Sequence, residues 1–181
     1  EELNSWRNPV DIASLLLKAR EELPALCKEG QAREDGWSDE EQLAGIMLED
    51  DPAATLDAIK EAVQSGETPE ALGSAVACAA FLRMARFHTS NEFGDWDTVH
   101  NTLTAANVLH QALKRAPSVE LLRAVLDTAM SIYLNRFLNM PPQRIPITDG
   151  GPVDSEATLS NILSQMNMQQ QVEEVAHLVS S

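Results

Sequence analysis

The chain has 181 residues, of which 44% are apolar and only 4% aromatic, so its core must be built from Leu, Ala, Val, Ile and Met. That composition predicts packed helices rather than a β-sandwich, and the length suits one well-filled core. A formal net charge of −15, from 28 acidic and 13 basic residues, argues against binding to nucleic acid or to an anionic membrane.

Cysteine usage and hydropathy predict a cytoplasmic protein. Cys27 and Cys78 are the only cysteines in the sequence, and they form neither a CxxC pair nor a metal-finger spacing. We find no signal peptide and no apolar stretch of about 18 residues, so no membrane span is predicted. The sequence begins with Glu1 rather than Met, and we therefore expect a trimmed chain or a piece of a longer one.

Capping signals predict four helices in the first half of the chain. Each start combines a Ser, Thr, Asp or Asn cap with a proline or an acidic residue just inside the helix. The caps are Asn8, Ser38, Asp51 and Thr68, and the helices span about 9–28, 38–48, 52–66 and 69–88. Pro24 is expected to kink the first helix or end it early. The helix over 69–88 is apolar nearly all round, which predicts a central position.

The second half continues the helical pattern. Helices are predicted over about 96–115 and 119–139, followed by a Pro/Gly-rich linker at 141–153 and two short helices at about 155–165 and 167–179. We therefore predict an all-α protein, a single-domain bundle of about seven helices. Its core would be formed by 1–140, and the short C-terminal helices of 154–181 would pack on the same domain.

A line of polar side chains follows the helix predicted at 96–115. Residues three and four apart project on one side of a helix, and five polar residues have this spacing: Asp97, His100, Thr104, Asn107 and Gln111. We call these five residues the polar stripe. An apolar stripe runs beside it, at Val99, Leu103, Ala106, Leu109 and Leu113. The polar stripe could be a buried hydrogen-bond network, the wall of a cavity, or an exposed polar face.

If the polar stripe faces a cavity, it suggests an active site. His100 could then act as an acid, a base or a ligand near neutral pH, with Asp97 orienting its ring, so these two are the candidate catalytic residues. Asn107 and Gln111 would contact the ligand. His110 lies nearer the apolar side and is more often a satisfied core or interface histidine.

The segment before this helix suggests a metal site. His88, Glu92 and His100 are the candidate ligands, because two imidazoles and neighbouring carboxylates within 13 residues could bind a divalent cation. Their spacing matches no standard ligand motif, so the cofactor is unknown and a divalent metal is a hypothesis. Asp95 is the predicted N-cap of a helix that starts at about Trp96.

A di-metal centre is disfavoured. Asp97 with His100 and Glu174 with His177 each place a carboxylate one helical turn from an imidazole, as in four-helix di-metal carboxylate sites. Such sites need two further carboxylates from partner helices, and the neighbouring predicted helices supply few. Glu174 and His177 also lie close to the end of the sequence, where helices fray.

Arg136 has two interpretations. A long apolar helix with one Asp and one Arg commonly pairs them with residues on a neighbour, so Asp127 and Arg136 are expected to form structural ion pairs, Arg136 with Asp95 or Glu92. Alternatively, Arg136 is a ligand-binding residue that holds a carboxylate or phosphate. Gly73 and Gly45 lie inside helices, which indicates close helix packing rather than a cofactor site.

The stretch ARFHTSNEFGDWDTVHNTLTAANVLHQALKRAPSVELLRAVLDTAMSIYLNRFLNMP resembles a helical region of uncharacterised bacterial Rieske-domain-containing proteins. The resemblance covers 68–142 best and 35–67 and 155–179 more faintly. It implies a redox context, with this domain as the helical partner of an iron–sulfur electron-transfer domain. The chain has no C-x-H and C-x-x-H pair, so it cannot itself hold a Rieske cluster.

Two functional hypotheses follow from the sequence. The first is a metal- or small-molecule-binding, enzyme-like domain in a redox context, with the catalytic and ligand residues given above. The second is a non-catalytic interaction or dimerisation domain whose polar residues fix helix register. A homo-oligomer or an iron–sulfur domain is the expected partner. No motif identifies a reaction, so whether the protein is an enzyme stays open.

Overall fold

The computed structural model describes residues 10–31, 39–139, 142–145 and 160 of the chain. Within these residues the backbone forms six α-helices and one short 3₁₀ helix, with no strand, which confirms the all-α class. The helices are α1 Ile12–Gly30, α2 Glu40–Leu48, α3 Pro52–Gln64, α4 Pro69–Ala85, α5 Phe93–Arg115 and α6 Val119–Leu134, and the 3₁₀ helix is Asn135–Asn139. None of the described helices combines the length and apolar character that crossing a membrane requires.

The chain divides into two compact units, Glu1–Gln143 and Arg144–Ser181. All the helices above belong to the first unit, and the second is described only at residues 144, 145 and 160. The predicted C-terminal helices and most of the predicted linker therefore lie outside the described residues. The count of about seven helices and the single-domain arrangement stay predictions.

Side-chain caps start several helices where the sequence predicts them. Asp51 accepts a hydrogen bond from Ala54 N at 2.9 Å, and Thr68 accepts one from Ala71 N at 3.1 Å. A proline follows each of these two caps, in the first turn, where its missing N–H removes no helical hydrogen bond. Ser118 caps α6 in the same way, at 3.2 Å from Leu121 N. The predicted starts of α3, α4 and α6 are confirmed.

The first two helices differ from the prediction. α1 is capped by Asp11, whose side chain accepts from Ser14 N at 3.1 Å, and residues 1–9 lie outside the described part of the chain. α2 is capped by Asp39 rather than Ser38. A short carboxylate is as good a cap as a hydroxyl, so neighbouring candidates cannot be separated from sequence. α1 also continues through the exposed Pro24 to Gly30.

α4 lies at the centre of the bundle, as its apolar sequence predicts. It packs against α2, α5 and α6, and α1 packs against α3 and α6. Buried side chains from all six α-helices form one apolar core. The largest fully buried members include Leu23, Leu43, Met47, Ile59, Leu72, Leu113, Leu126 and Ile132.

Gly73 lets α4 and α5 approach each other closely. A Cβ atom at this position would lie 3.0 Å from His110 Cα and 3.0 Å from Leu113 Cδ1. The prediction of close helix packing is therefore right for Gly73. It is wrong for Gly45, because Gly45 is exposed and a Cβ there would meet nothing within 4 Å.

These two glycines predict opposite effects of the same substitution. Gly73→Ala should lower the free energy of unfolding by about 1–3 kcal/mol, because the backbone of α5 must move to admit the methyl group. Gly45→Ala should raise it by up to about 1 kcal/mol, because alanine has the higher helix propensity and the site is open. Urea denaturation followed by circular dichroism measures both. Equal effects of the two substitutions would contradict the close contact at Gly73.

Candidate functional site

The turn after α4 is held together by hydrogen bonds around His88. The backbone N–H of Ser90 donates to His88 Nδ1 at 3.1 Å, and Ser90 Oγ lies 2.7 Å from the same nitrogen. Because a backbone N–H can only donate, Nδ1 is an acceptor and the neutral ring carries its proton on Nε2. Asn91 Nδ2 donates to the His88 carbonyl at 2.9 Å. In this arrangement His88 orders the turn, and neither ring nitrogen has a free lone pair for a metal.

An aromatic contact fixes the start of α5 to the end of α4. The buried Phe87 meets Trp96 edge to face, with ring centroids 4.8 Å apart. Trp96 in turn meets the ring of His100 at 6.0 Å, again nearly perpendicular. Aromatic pairs prefer this edge-to-face arrangement. It holds the His100 ring against Trp96 on the surface of α5.

α5 starts three residues earlier than predicted. Its N-cap is Glu92, whose side chain makes no capping hydrogen bond, and its first residue is Phe93 rather than Trp96. Asp95 lies inside the first turn instead of capping the helix, where its charge is favourable to the helix dipole. The carboxylates before and inside this turn therefore belong to the helix start rather than to a separate loop.

The polar stripe faces solvent. Asp97, His100, Thr104 and Asn107 are exposed, and Gln111 is half-buried. Of the three interpretations, the exposed polar face is the one that the structure shows. The interpretations of the polar stripe as a buried network and as a cavity wall are wrong. At about 100° per residue, the polar stripe lies roughly 140° around α5 from the buried apolar stripe rather than directly beside it, which explains its exposure. The catalytic and ligand-binding roles of these residues stay predictions, and the exposure of the side chains does not support an enclosed active site.

The candidate metal ligands are not gathered into a site. Within the described residues, no group of three or more His, Cys, Asp and Glu side chains is placed to hold a metal ion. Glu92 and His100 are exposed, and the ring nitrogens of His88 serve the turn. A metal role for His88, Glu92 and His100 stays a prediction that this geometry does not favour.

Arg136 has a structural environment. It is buried, forms an ion pair with Asp50, and donates from Nη1 to the Tyr133 carbonyl at 3.2 Å. Its guanidinium carbon lies 3.7 Å from the ring centroid of Tyr133 and 4.0 Å from that of Phe137. The ion-pair partner found is thus Asp50 instead of the predicted Asp95 or Glu92. Asp127 also pairs across helices, with Arg20 of α1, as expected.

Two buried polar contacts near Arg136 escaped the sequence analysis. Arg83, buried in α4, donates from Nη2 to the Leu48 carbonyl at 3.1 Å. Burial lowers the pKa of the Arg83 guanidinium, and the neighbouring positive charges of Arg86 and Arg136 lower it further. The buried Asn135 donates from Nδ2 to Thr102 Oγ1 at 2.9 Å, which joins the 3₁₀ helix to α5.

A second feature missed from sequence is the absence of charge from two long stretches, one in α4 and one in α5. If His is counted as neutral, residues 71–82 of α4 and 98–113 of α5 include no charged side chain, in a protein with 28 acidic and 13 basic residues. Several of these residues are exposed, and we call them the neutral face: Cys78, Phe81, Thr98, His100, Asn101, Thr104, Ala105, Asn107 and Val108. The signal was available in the sequence as two long stretches without charge.

No protein-family model matches the chain, and comparison with curated proteins and with solved structures gives no match. The resemblance to the helical region of Rieske-domain-containing proteins therefore stays a prediction. Among the surfaces that the structure describes, the outer side of α5 differs from the rest of this acidic protein because residues 98–113 have no charged side chain.

The structural environment of Arg136 makes a prediction about stability. Arg136→Lys keeps the positive charge but loses the planar stacking on Tyr133 and Phe137, so the free energy of unfolding should fall by about 1–2 kcal/mol. The control is Arg123→Lys, since Arg123 is half-buried and its ion pair with Glu120 is 3.9 Å long. That substitution should change stability by less than about 0.5 kcal/mol. Chemical denaturation would refute the structural role if the two variants were equally stable.

Proposed function

We propose that the chain is a non-catalytic interaction domain that pairs with a second copy of itself through the neutral face. The observation that carries this proposal is the exposed side of α5 over residues 98–113, which has no charged side chain on a protein of net charge −15. Interface centres are depleted of charged residues relative to the rest of a protein surface. Charged side chains keep a protein soluble and monomeric. An exposed surface without them therefore suits contact with another chain.

Like-charged copies can approach each other at this face more easily than elsewhere. The uncharged part of α5, residues 98–113, is about 24 Å long at 1.5 Å per residue. That exceeds the Debye length of about 8 Å at physiological ionic strength, so charges beyond its ends are largely screened from its centre. Repulsion between two copies is therefore weakest where the middle of α5 meets the middle of a second α5.

The charges at the two ends of α5 favour a second copy as the partner. Asp95 and Asp97 lie at its start, and Arg115 lies at its end, where Lys114 already pairs with Glu70 of α4 at 2.9 Å. In an antiparallel pair of α5 helices about a two-fold axis, the acidic end of one copy meets the basic end of the other. Such self-complementary surfaces are what a symmetric dimer requires. The same pattern gives no particular preference for the iron–sulfur domain suggested by the resemblance.

The chemistry of the face also suits a dimer, and its area suits a weak one. α5 has 23 residues and is about 35 Å long, so at a width of about 10 Å it presents roughly 350 Å². Weak and transient interfaces bury less than about 600 Å² on each partner. Phe81 and Val108 provide apolar contact area, and the asparagine and threonine side chains can form hydrogen bonds across the interface. In this proposal His100 and Asn107 are contact residues.

The first test changes one exposed residue of the neutral face. Val108→Glu should convert the dimer to a monomer, because it buries a charge opposite its own symmetry mate or a nearby neutral residue. Leu17→Glu on α1 is the matched control, since Leu17 is 58% exposed and Val108 is 61% exposed. Sedimentation velocity over a range of protein concentrations measures the mass of each variant. We expect wild type and Leu17→Glu to dimerise and Val108→Glu to remain monomeric.

Two results of this measurement would contradict the proposal. A wild-type protein that is monomeric at every concentration would remove self-association. Loss of the dimer in Leu17→Glu but not in Val108→Glu would place the interface on α1 instead. Circular dichroism of both variants checks that the helices remain intact.

A second test uses the two native thiols as reporters. Cys78 lies on the neutral face and Cys27 is half-buried on α1, and both are free. Burial raises the pKa of both thiols, and the Glu41 and Glu40 carboxylates of α2 raise the pKa of Cys78 further, so near neutral pH each cysteine reacts slowly through a small thiolate fraction. Dimerisation should slow maleimide labelling of Cys78 in wild type relative to Val108→Glu and leave the rate at Cys27 unchanged. Mass spectrometry of the labelled peptides gives both rates, and equal Cys78 rates would contradict an interface at this face. Two reduced thiols also suit the predicted cytoplasmic location.

A further inference from the structure

One line of side chains runs along the outermost side of α5. Its members are spaced alternately four and three residues apart: Asp97, Asn101, Thr104, Val108, Gln111 and Arg115. We call these six residues the outer line. At about 100° per residue they all lie within about 40° of one direction, roughly 180° around α5 from the buried apolar stripe. All are exposed except Gln111, which is half-buried.

This spacing is the one with which two helices pack side by side. Alternating steps of three and four residues keep side chains on the side that faces a partner helix over many turns. The outer line extends from residue 97 to residue 115, about 27 Å at 1.5 Å per residue. The buried side of α5 already packs on α4 and α6, so the outer line is the side that can meet another chain.

The outer line is complementary to itself when it is read in reverse. If Asp97 of one copy lies opposite Arg115 of a second copy, an acid meets a base. Four residues further along the first helix, and four residues back along the second, Asn101 lies opposite Gln111. Both amide side chains have donors and acceptors, so this pair can form hydrogen bonds. A two-fold axis repeats each contact, as a symmetric dimer requires.

The same register places an apolar contact near the centre of the interface. The next step of three residues brings Thr104 opposite Val108, so the threonine methyl group covers a valine that is 61% exposed in the single chain. The axis then passes level with residue 106, close to the middle of the charge-free stretch 98–113. Charge is absent from the centre and present at both ends, which is the arrangement of core and rim in protein interfaces.

The charged ends of the outer line are available to a second copy. Asp97 and Arg115 are exposed, and neither forms an ion pair with another residue in the described part of the chain. Lys114 differs from its neighbour Arg115, because it pairs with Glu70 of α4 at 2.9 Å. Arg115 is therefore the basic residue at the end of α5 that suits contact with the acidic start of another α5.

We infer that two copies of α5 pair in this one antiparallel register, with Asp97 of each copy bound to Arg115 of the other. The inference rests on the proposed function, since it specifies how that dimer forms. A parallel pair would place like charges opposite each other at both ends, which is unfavourable. A shift of one helix by a single turn would separate both ion pairs. Polar residues in a helix seam specify register at a cost in stability, so the dimer is weak but defined.

The test reverses one charge at a time and then mixes the variants. Asp97→Lys and Arg115→Glu each place like charges together at both ends of the pair, so each variant alone should dimerise about tenfold more weakly than wild type. In an equimolar mixture, the new lysine of one variant meets the new glutamate of the other, and the remaining Asp97 meets the remaining Arg115. The mixed dimer should therefore recover nearly the wild-type Kd. Sedimentation equilibrium measures each Kd, and native mass spectrometry identifies the mixed dimer.

A general change in net charge predicts a different result. Asp97→Lys makes the chain less acidic and Arg115→Glu makes it more acidic, so repulsion between whole copies would weaken the second variant only. The controls are Glu61→Lys on α3 and Lys28→Glu on α1, because both residues are exposed, lie outside α5 and make the same changes in charge. Each control should change the Kd by less than about threefold.

The possible outcomes separate this inference from the proposed function. Wild-type protein that is monomeric at every concentration would refute the dimer, and the register with it. A wild-type dimer that tolerates both charge reversals, or a mixture that dimerises no better than the separate variants, would overturn the register alone. Circular dichroism checks that each variant is folded. If a reversal unfolds the chain, Asp97→Asn and Arg115→Gln replace it, and each should weaken the dimer by about threefold.

Discussion

The close contact between α4 and α5 determines how the rest of the protein is arranged. Gly73, near the start of α4, meets His110, near the end of α5, and Phe87 after α4 meets Trp96 near the start of α5. The two helices are therefore antiparallel and in contact along their length. α4 is also covered by α2 and α6, whereas α5 packs mainly on α4 and α6 and keeps a broad outer side in solvent. The exposure of the polar stripe follows from that position.

The presence of most helices could be predicted from this sequence because the signals that start a helix are local. Asp51, Thr68 and Ser118 each accept a hydrogen bond from one N–H group of the turn that follows, and this requires no knowledge of the rest of the fold. The predicted start of α5 failed because Asp95 is a good cap by composition, yet the helix continues one turn further toward Phe93. Trp96 packs on Phe87, and that contact joins residues that single-helix reasoning treats separately.

The candidate site was harder to predict because a helix pattern shows which residues share a side but not what that side faces. His100 and Asn107 do lie along one line, as the spacing predicts, and that line faces solvent. Arg136 shows the opposite case: a charged residue became part of the interior because Tyr133 and Phe137 cover it and Asp50 neutralises it. Asp50 is 86 positions earlier in the sequence, and no local pattern links the two.

The neutral face combines exposure with a low cost of losing water. Thr98 Oγ1 donates to the Gly94 carbonyl at 3.1 Å, so this hydroxyl of the neutral face already has an acceptor within α5. A polar group that keeps its hydrogen bond on burial costs far less than one that loses it. A face of charged side chains would require each charge to find a partner on the other chain. The composition of α5 therefore allows association without demanding it, because the side chains that make this helix soluble can also be covered at modest free-energy cost.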